Sequence, residues 1–174
     1  VEHPDVITCG RGADKNNIKS DGMPVVDISR GGDVTYHGPG QQVVYPIVQL
    51  SEQSQNLHLV LRVLEDWIIN ALAKFEISAG RKENLTGVWV GEKKIASIGI
   101  AVKRWVTYHG LALNVNTDLD QFQSINPCGL DAKVMTSMEQ LLNRRVEMDE
   151  VKSVFVGSFG SVLGKLKGDC HDDE

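Results

Sequence analysis

The chain has 174 residues, 41% of them hydrophobic, and its 18 Lys and Arg against 23 Asp and Glu give a formal charge of −5. That length and apolar share suit one globular domain around a single core, while no apolar run approaches the roughly 20 residues of a membrane span and the scattered basic residues leave no electrostatic footprint for nucleic acid. Cys9, Cys128 and Cys170 are too few and too dispersed for a disulfide framework or a zinc site, which favours a reducing compartment where a lone thiol can act as a nucleophile.

In chain order, the first fifty residues carry short β-type runs, `DVIT`, `VVDIS`, `DVTYH` and `QVVYPIV`, punctuated by Gly31-Gly32 and Gly38-Pro39-Gly40. Pro39 and Gly40 fit positions i+1 and i+2 of a type II turn. A helix follows: Leu57, Val60, Leu61, Leu64, Trp67, Ile68, Ala71, Leu72 and Phe75 recur at helical spacing after Asn56, a plausible N-cap. An antiparallel meander is predicted next, with `TGVWV`, the turn `GEK`, `KIASIGIAV`, the turn `KRW` and `VTYHGLALNV`. After the irregular `NTDLDQFQSINPCGLDAKVM`, Thr136 and Glu139 read as a capping box opening a short helix.

A last helix begins near Asp149 and shows Val151, Val154, Phe155, Ser158, Val162 and Leu166 on one stripe. Gly157, Gly160 and Gly164 weaken it by about 1 kcal/mol each, so they either allow close packing or leave the helix frayed. The acidic end `GDCHDDE` reads as a solvated tail, although Cys170 and His171 could ligate a metal. The predicted organisation is one α/β domain over residues 1–168 and an acidic tail over 169–174. The sequence starts at Val1 without an initiator Met, so a preceding segment, with any targeting signal, is expected upstream.

The five letters Val-Thr-Tyr-His-Gly occur twice, in `VTYHGPG` (34–40) and `VTYHGLA` (106–112). No wider self-similarity surrounds them, so the repeat is either ordinary strand vocabulary or two strand ends delivering a histidine and a glycine to one pocket. In `RGGDVTYHGPGQ`, Gly31 and Gly32 let a ligand approach the main chain, and Arg30 adds a fork of donors suited to a carboxylate or phosphate. A Gly-rich turn explains the glycines equally well, but not Arg30 and His37 at the two ends of one stretch.

`INPCGL` is the sharper signal. A free cysteine is most often a buried small hydrophobe. Between Pro127 and Gly129, however, Cys128 falls in a rigid turn that exposes the sulfur and frees nearby N–H groups to hold an oxyanion, as an acyl-transfer nucleophile requires. Cys9 has no comparable surroundings. A thiol with an ordinary pKa near 8.5 is only about 3% thiolate at pH 7, so a neighbouring cation is needed. His37, His109 and the lysines of `GEKKIASIG` are the candidates. Lys93 sits in a turn and reads as solvated, whereas Lys94 opens an otherwise apolar or small-residue strand, where a charge needs a reason.

With `KRW` as the turn, Val102 faces Val106 and Gly99 faces His109. Strict alternation then puts Lys94 and His109 on opposite faces. A bulge at Gly99 or Gly110, or a one-residue change of register, would relieve this.

Taken together, `EHPDVIT`, `RGGDVTYHGPGQ`, `YPI`, `TGVWVGEKKIASIG`, `HGLALNVN`, `LDQF` and `INPCG` resemble, in order, the lipoyl(octanoyl) transferases over Glu2 to about Leu142. The resemblance implies an α/β fold with a mixed or antiparallel sheet, like that of the biotin and lipoate protein ligases. It implies transfer of an octanoyl group from octanoyl-acyl carrier protein to a lysine of lipoyl domains, including 2-oxo acid dehydrogenase subunits and the glycine cleavage H protein. Cys128 matches the cysteine that carries the acyl thioester and Lys94 the lysine that activates it. Arg30, Gly31, Gly32, Asp33, Val34, Thr35, Tyr36 and His37, with Ser97, Ile98 and Gly99 and with Gly110, Leu111 and Ala112, match the segments lining the acyl substrate. His109 is a further candidate.

No cofactor or metal is implied, and a monomer is expected, working in the cytoplasm of a bacterium or in a eukaryotic mitochondrion or plastid. The family has a helix and a strand before the segment that matches Val1, and this sequence does not contain them. The rival readings are an ATP-dependent lipoate or biotin protein ligase, a cysteine hydrolase pairing Cys128 with His37 or His109, and a non-catalytic acyl-binding module.

Overall fold

The computed structural model describes residues 1–19 and 22–168; the acidic tail 169–174, with Cys170 and His171, lies outside the described residues. Two sheets are formed. Strands β1 (Val6–Cys9), β2 (Val25–Asp27) and β3 (Val34–His37) make a three-stranded sheet in the order β2-β1-β3, with β1 parallel to β2 and antiparallel to β3. Strands β4 (Gln41–Val44), β5 (Gly80–Lys82), β6 (Leu85–Val90), β7 (Lys93–Lys103) and β8 (Val106–Asn114) make an antiparallel sheet in the order β4-β8-β7-β6-β5. The chain passes between sheets at Gly38-Pro39-Gly40. Gln41 N–H donates to Gly38 O at 3.2 Å and Gly40 adopts φ 76°, the left-handed position of a type II turn. A Cβ there would also stand 2.5 Å from Asn116 O.

Helix α1 (Leu57–Ala73) begins where Asn56 accepts hydrogen bonds from the N–H groups of His58 and Leu59. Its apolar stripe packs on the five-stranded sheet with α3 (Met148–Lys167). Trp67 joins the helices, its ring edge-on to Phe155 at 5.1 Å and its Nε1–H donating to Ser158 Oγ at 2.8 Å. On the α3 stripe Val151, Phe155, Val162 and Leu166 are buried.

Four sequence expectations are corrected. The core is divided: a large cluster joins α1, α3 and the five-stranded sheet, and a smaller one joins Ile7, Cys9, Val34 and Tyr36 to Phe122, Ile125, Ala132 and Met135. The short polar strand β5 adds an edge to the meander. Helix α2 (Met138–Leu142) is capped by Ser137, whose side chain accepts from Gln140 N–H, rather than by Thr136; Thr136 Oγ1 donates instead to Gln140 Oε1. Finally, a Cβ on Gly157 or Gly160 would meet no atom within 4 Å. These glycines therefore serve no close packing, yet α3 runs intact to Lys167.

Candidate active site

The β7–β8 hairpin sets the site. Its turn has two residues, Arg104 and Trp105, both left-handed at φ 51° and 61°, so Lys103 pairs with Val106 and Gly99 with Gly110. The three-residue turn expected at `KRW` is thus one residue too long. A two-residue turn of this kind normally signals itself by glycine or asparagine, and neither is present.

The register change places His109 opposite Ile100, a core residue. A regular strand would bury the imidazole there. His109 instead takes φ 60°, and its Nε2 lies 3.0 Å from Ser29 Oγ. Lys94 is redirected by a second irregularity. Val88 pairs with Ala96 but Trp89 with Lys94, which leaves Ile95 as an extra residue. Ile95 and Ala96 are both fully buried in the large core, and the alternation resumes with Lys94 on the opposite face. The bulge therefore lies at Ile95, not at Gly99 or Gly110.

Between the two sheets is a cavity of about 320 Å3, at the lower end of small-molecule sites. It is lined by Arg30, Gly32, Asp33, Val34, Thr35 and His37 from the first motif, by Lys94, Ser97, Ile98 and Gly99 from β7, and by His109, Gly110, Leu111 and Ala112 from β8. The two Val-Thr-Tyr-His-Gly segments thus meet at one cavity through both histidines. Gly31 and Tyr36 do not line it. Strand alternation sends Tyr36 into the small core, against Phe122 at 5.2 Å, with its hydroxyl donating to Asp5 Oδ1 at 2.6 Å. Gly31 gives its N–H to Ile100 O at 2.9 Å, joining the motif to β7.

The sequence reading missed His3, Val6, Thr8, Ile28, Val43, Tyr45 and Thr86, which complete the wall. His3 Nε2 and the Tyr45 hydroxyl stand 2.6 Å apart. Tyr45 lay in the quoted `YPI`, and alternation along β1 would have paired Val6 with Thr8. His3 lay in `EHPDVIT`, but nothing in that run singled it out as a wall residue.

Arg30 is 7% exposed. Its Nε donates to Thr8 Oγ1, its Nη2 to Thr8 O and Thr8 Oγ1, and its Nη1 to Gly31 O. The fork expected to grip a carboxylate or phosphate is engaged in joining β1 to the glycine motif. Its stem runs over Gly99, where a Cβ would approach Arg30 Cδ to 2.9 Å.

His37 and His109 are held neutral at pH 7. Burial is the main cause of lowering His37 to about 4; Arg30 and His3 push the same way and the Gln41 hydrogen bond opposes them. His109 is lowered by burial, then by Arg30 and Arg11. The His37 tautomer follows from a buried hydrogen-bond chain. Asn114 Nδ2 donates to Thr136 O at 3.0 Å, so Asn114 Oδ1 accepts from Gln41 Nε2 at 2.9 Å. Gln41 Oε1 then faces His37 Nδ1 at 2.7 Å, and Nδ1 must carry the proton. Neither ring supplies the cation a thiolate needs. Lys93, exposed, donates to Lys133 O, whereas Lys94 is 4% exposed and lines the cavity.

Cys128 falls in the 3-10 turn Pro127–Gly129, ended by Gly129 at φ 72°. The N–H groups of Gly129 and Leu130 donate to Asn126 O and Pro127 O, so these two are spent inside the turn rather than left for an oxyanion. The segment just beyond is tied to the lysine strand: Lys94 bridges in parallel to Met135, and Thr136 N–H donates to Lys94 O at 2.9 Å. Cys9 is buried and its thiol is raised chiefly by burial, then by Asp27. Among the described residues no group of three His, Cys, Asp or Glu is placed to hold a metal, and no helix is long and apolar enough to cross a membrane.

The chain is 47% identical over 163 residues to the octanoyltransferase of Geobacter metallireducens, covering 94% of this chain and 76% of that one. It is 48% identical over 166 residues to the octanoyltransferase of Geotalea uraniireducens, covering 95% and 78%. The fold is similar to a bi-partite lipoate protein ligase from Thermoplasma acidophilum (TM-score 0.70, 20% identity, 93% and 69% covered). It is also similar to the biotin protein ligase of Aquifex aeolicus solved with biotin and ATP (TM-score 0.63, 17% identity, 95% and 73% covered). Residues 1–160 match the model of the lipoyl protein ligase A/B catalytic domain, and with relatives this similar over most of both chains, the protein belongs to that family.

Proposed function

We propose that the protein is an octanoyltransferase of protein lipoylation, taking an octanoyl group from octanoyl-acyl carrier protein and delivering it to a lysine of a lipoyl domain. The observation that carries this reading is a cavity with apolar walls, including Val6, Ile28, Val43, Ile98 and Leu111, into which a buried lysine opens, its strand bridged to Met135 in the segment that follows the Cys128 turn. An acyl chain gains about 0.8 kcal/mol for each methylene it buries in such walls. Its carbonyl needs the opposite surroundings, a nucleophile with a cation near it. The curated relatives' shared name supports the same chemistry.

In the first step the Cys128 thiolate attacks the donor thioester carbonyl. The new S–C bond forms, the donor C–S bond breaks, and the carrier thiolate leaves, taking its proton from Lys94. In the second step the amine of the acceptor lysine attacks the Cys128 thioester, the amide forms and Cys128 leaves. Lys94 holds charge beside the sulfur in the first step and moves the amine proton in the second. Thioester exchange followed by amide formation is downhill, so ATP is not required.

Incubation with octanoyl-acyl carrier protein in the absence of ATP, followed by intact mass, tests this. One octanoyl adduct forms, and it passes to an added lipoyl domain. Cys128→Ser loses the adduct, and Cys9→Ser keeps it because the Cys9 thiol is buried and held protonated. Full transfer by Cys128→Ser would end the covalent mechanism, and an absolute ATP requirement would end the transferase reading.

A further inference from the structure

Glu65 is an unusual residue to find where it is. It lies in α1 among the residues that face the large core and is 6% exposed. A buried carboxylate needs partners. Arg81 Nε donates to Glu65 Oε2 at 2.7 Å, while Arg81 Nη2 also reaches Asp66. A buried ion pair of this kind adds little to stability against an apolar replacement, so burial alone does not account for the residue.

The other oxygen gives the reason. Glu65 Oε1 accepts the N–H of Gly87 at 3.2 Å. Gly87 sits in β6 just before the irregularity that redirects Lys94, and its φ is 125°. That value is open to glycine and closed to other residues. A Cβ on Gly87 would lie 2.7 Å from Lys94 Cε, 3.4 Å from Lys94 Nζ and 2.5 Å from Ala96 O. The lysine stem therefore runs across the bare α-carbon of Gly87, and the ammonium comes to rest 5.8 Å from the Trp89 ring centre, two residues further along the same strand.

We infer that Glu65 is a positioning residue for Lys94: its Oε1, by holding the Gly87 N–H, fixes the backbone bed on which the lysine lies. This rests on the role given to Lys94 above. It requires an acceptor at one point in space, and a negative charge alone does not meet it. Glu65→Gln keeps an amide oxygen at that point. Glu65→Asp keeps the charge and draws the oxygens back by one methylene, out of reach of Gly87. Glu65→Leu removes the acceptor at similar volume.

The intact protein is alkylated with iodoacetamide at a series of pH values and the extent at Cys128 is read afterwards by peptide mass, together with single-turnover acylation from octanoyl-acyl carrier protein. Glu65→Leu and Glu65→Asp are expected to move the alkylation midpoint toward that of a free cysteine and to slow acylation by about tenfold to a hundredfold, the usual effect of a misplacement on the order of 1 Å. Glu65→Gln is expected to stay within about twofold of the parent. In a Lys94→Ala background, Glu65→Leu is expected to add nothing, because its effect acts through the lysine.

A folded Glu65→Leu with the parent profile overturns the inference, as does a shift that persists undiminished on top of Lys94→Ala. Should Glu65→Leu not fold, the Gln and Asp variants decide, and equal profiles for the two overturn it. An unchanged profile in Lys94→Ala itself refutes the Lys94–Cys128 pairing, and the role of Glu65 falls with it.

Discussion

His37 makes the stability of this protein depend on pH in a direction and window that the structure specifies. In the folded chain its imidazole takes up a proton only near pH 4, because the ring is largely buried and Arg30 and His3 lie close by. In the unfolded chain it does so near 6.5. Between those values the unfolded state holds more protons, so stability falls as pH falls through the window. Above about 6.5 the contribution is fully present, and below about 4 both states are protonated and nothing further is lost. Each unit between the two values is worth about 1.36 kcal/mol, so the interval from 6.5 to about 4 amounts to roughly 3 kcal/mol.

The perturbation is His37→Phe, which removes the titrating group and, at every pH alike, the hydrogen bond to Gln41. Urea unfolding followed at several pH values from about 7.5 to 4 gives the stability of each protein. The parent should lose roughly 3 kcal/mol more than the variant across the window, most of it below pH 6. Parallel loss in the two proteins would refute the neutral, buried histidine.

On the proposed pairing of Lys94 with Cys128, Lys94→Arg keeps the cation but cannot release a proton at accessible pH. It should keep a reactive thiol and transfer poorly to the acceptor lysine, whereas Lys94→Ala should move the alkylation profile toward the free-cysteine value of about 8.5. Near-normal turnover in Lys94→Arg would leave the lysine a purely electrostatic role. Gly157→Ala and Gly160→Ala, at helical positions with open space around them, should each stabilise the protein by about 0.5–1 kcal/mol in thermal unfolding, without altering octanoyl transfer.

What the sequence disclosed, and what it withheld, follows from how far each signal reaches along the chain. Helix α1 was legible because its apolar spacing and its Asn56 cap are both local. The meander was legible too, yet its register was one residue out, since Arg104 and Trp105 carry positive φ without the residues that normally announce it. Ser137 and Thr136 are adjacent and equally fit to cap, and only the hydrogen bond to Gln140 N–H separates them.

Within the site, Thr35 and His37 were legible as wall residues, but including Tyr36 with them ignored the alternation that turns it to the opposite face. Glu65 escaped notice because a single acid in a helical pattern reads as solvent-facing. Its meaning depends on Gly87, twenty-two residues away and on another element. The bulge at Ile95, which decides where Lys94 points, arises from pairing with β6 and has no composition of its own.

The division of the core has a consequence for local stability. The turn that holds Cys128 belongs with the small cluster, whose neighbouring members Ile125, Ala132 and Met135 flank it in sequence, while Lys94 issues from the large sheet. Main-chain ties across the seam include Gly31 to Ile100 and Thr136 to Lys94. Local stability is set cluster by cluster, so the two cores can open at different free-energy costs. Under the proposed pairing, Cys128 and Lys94 stand on different cores, so a substitution that loosens the seam weakens their cooperation before it unfolds either core.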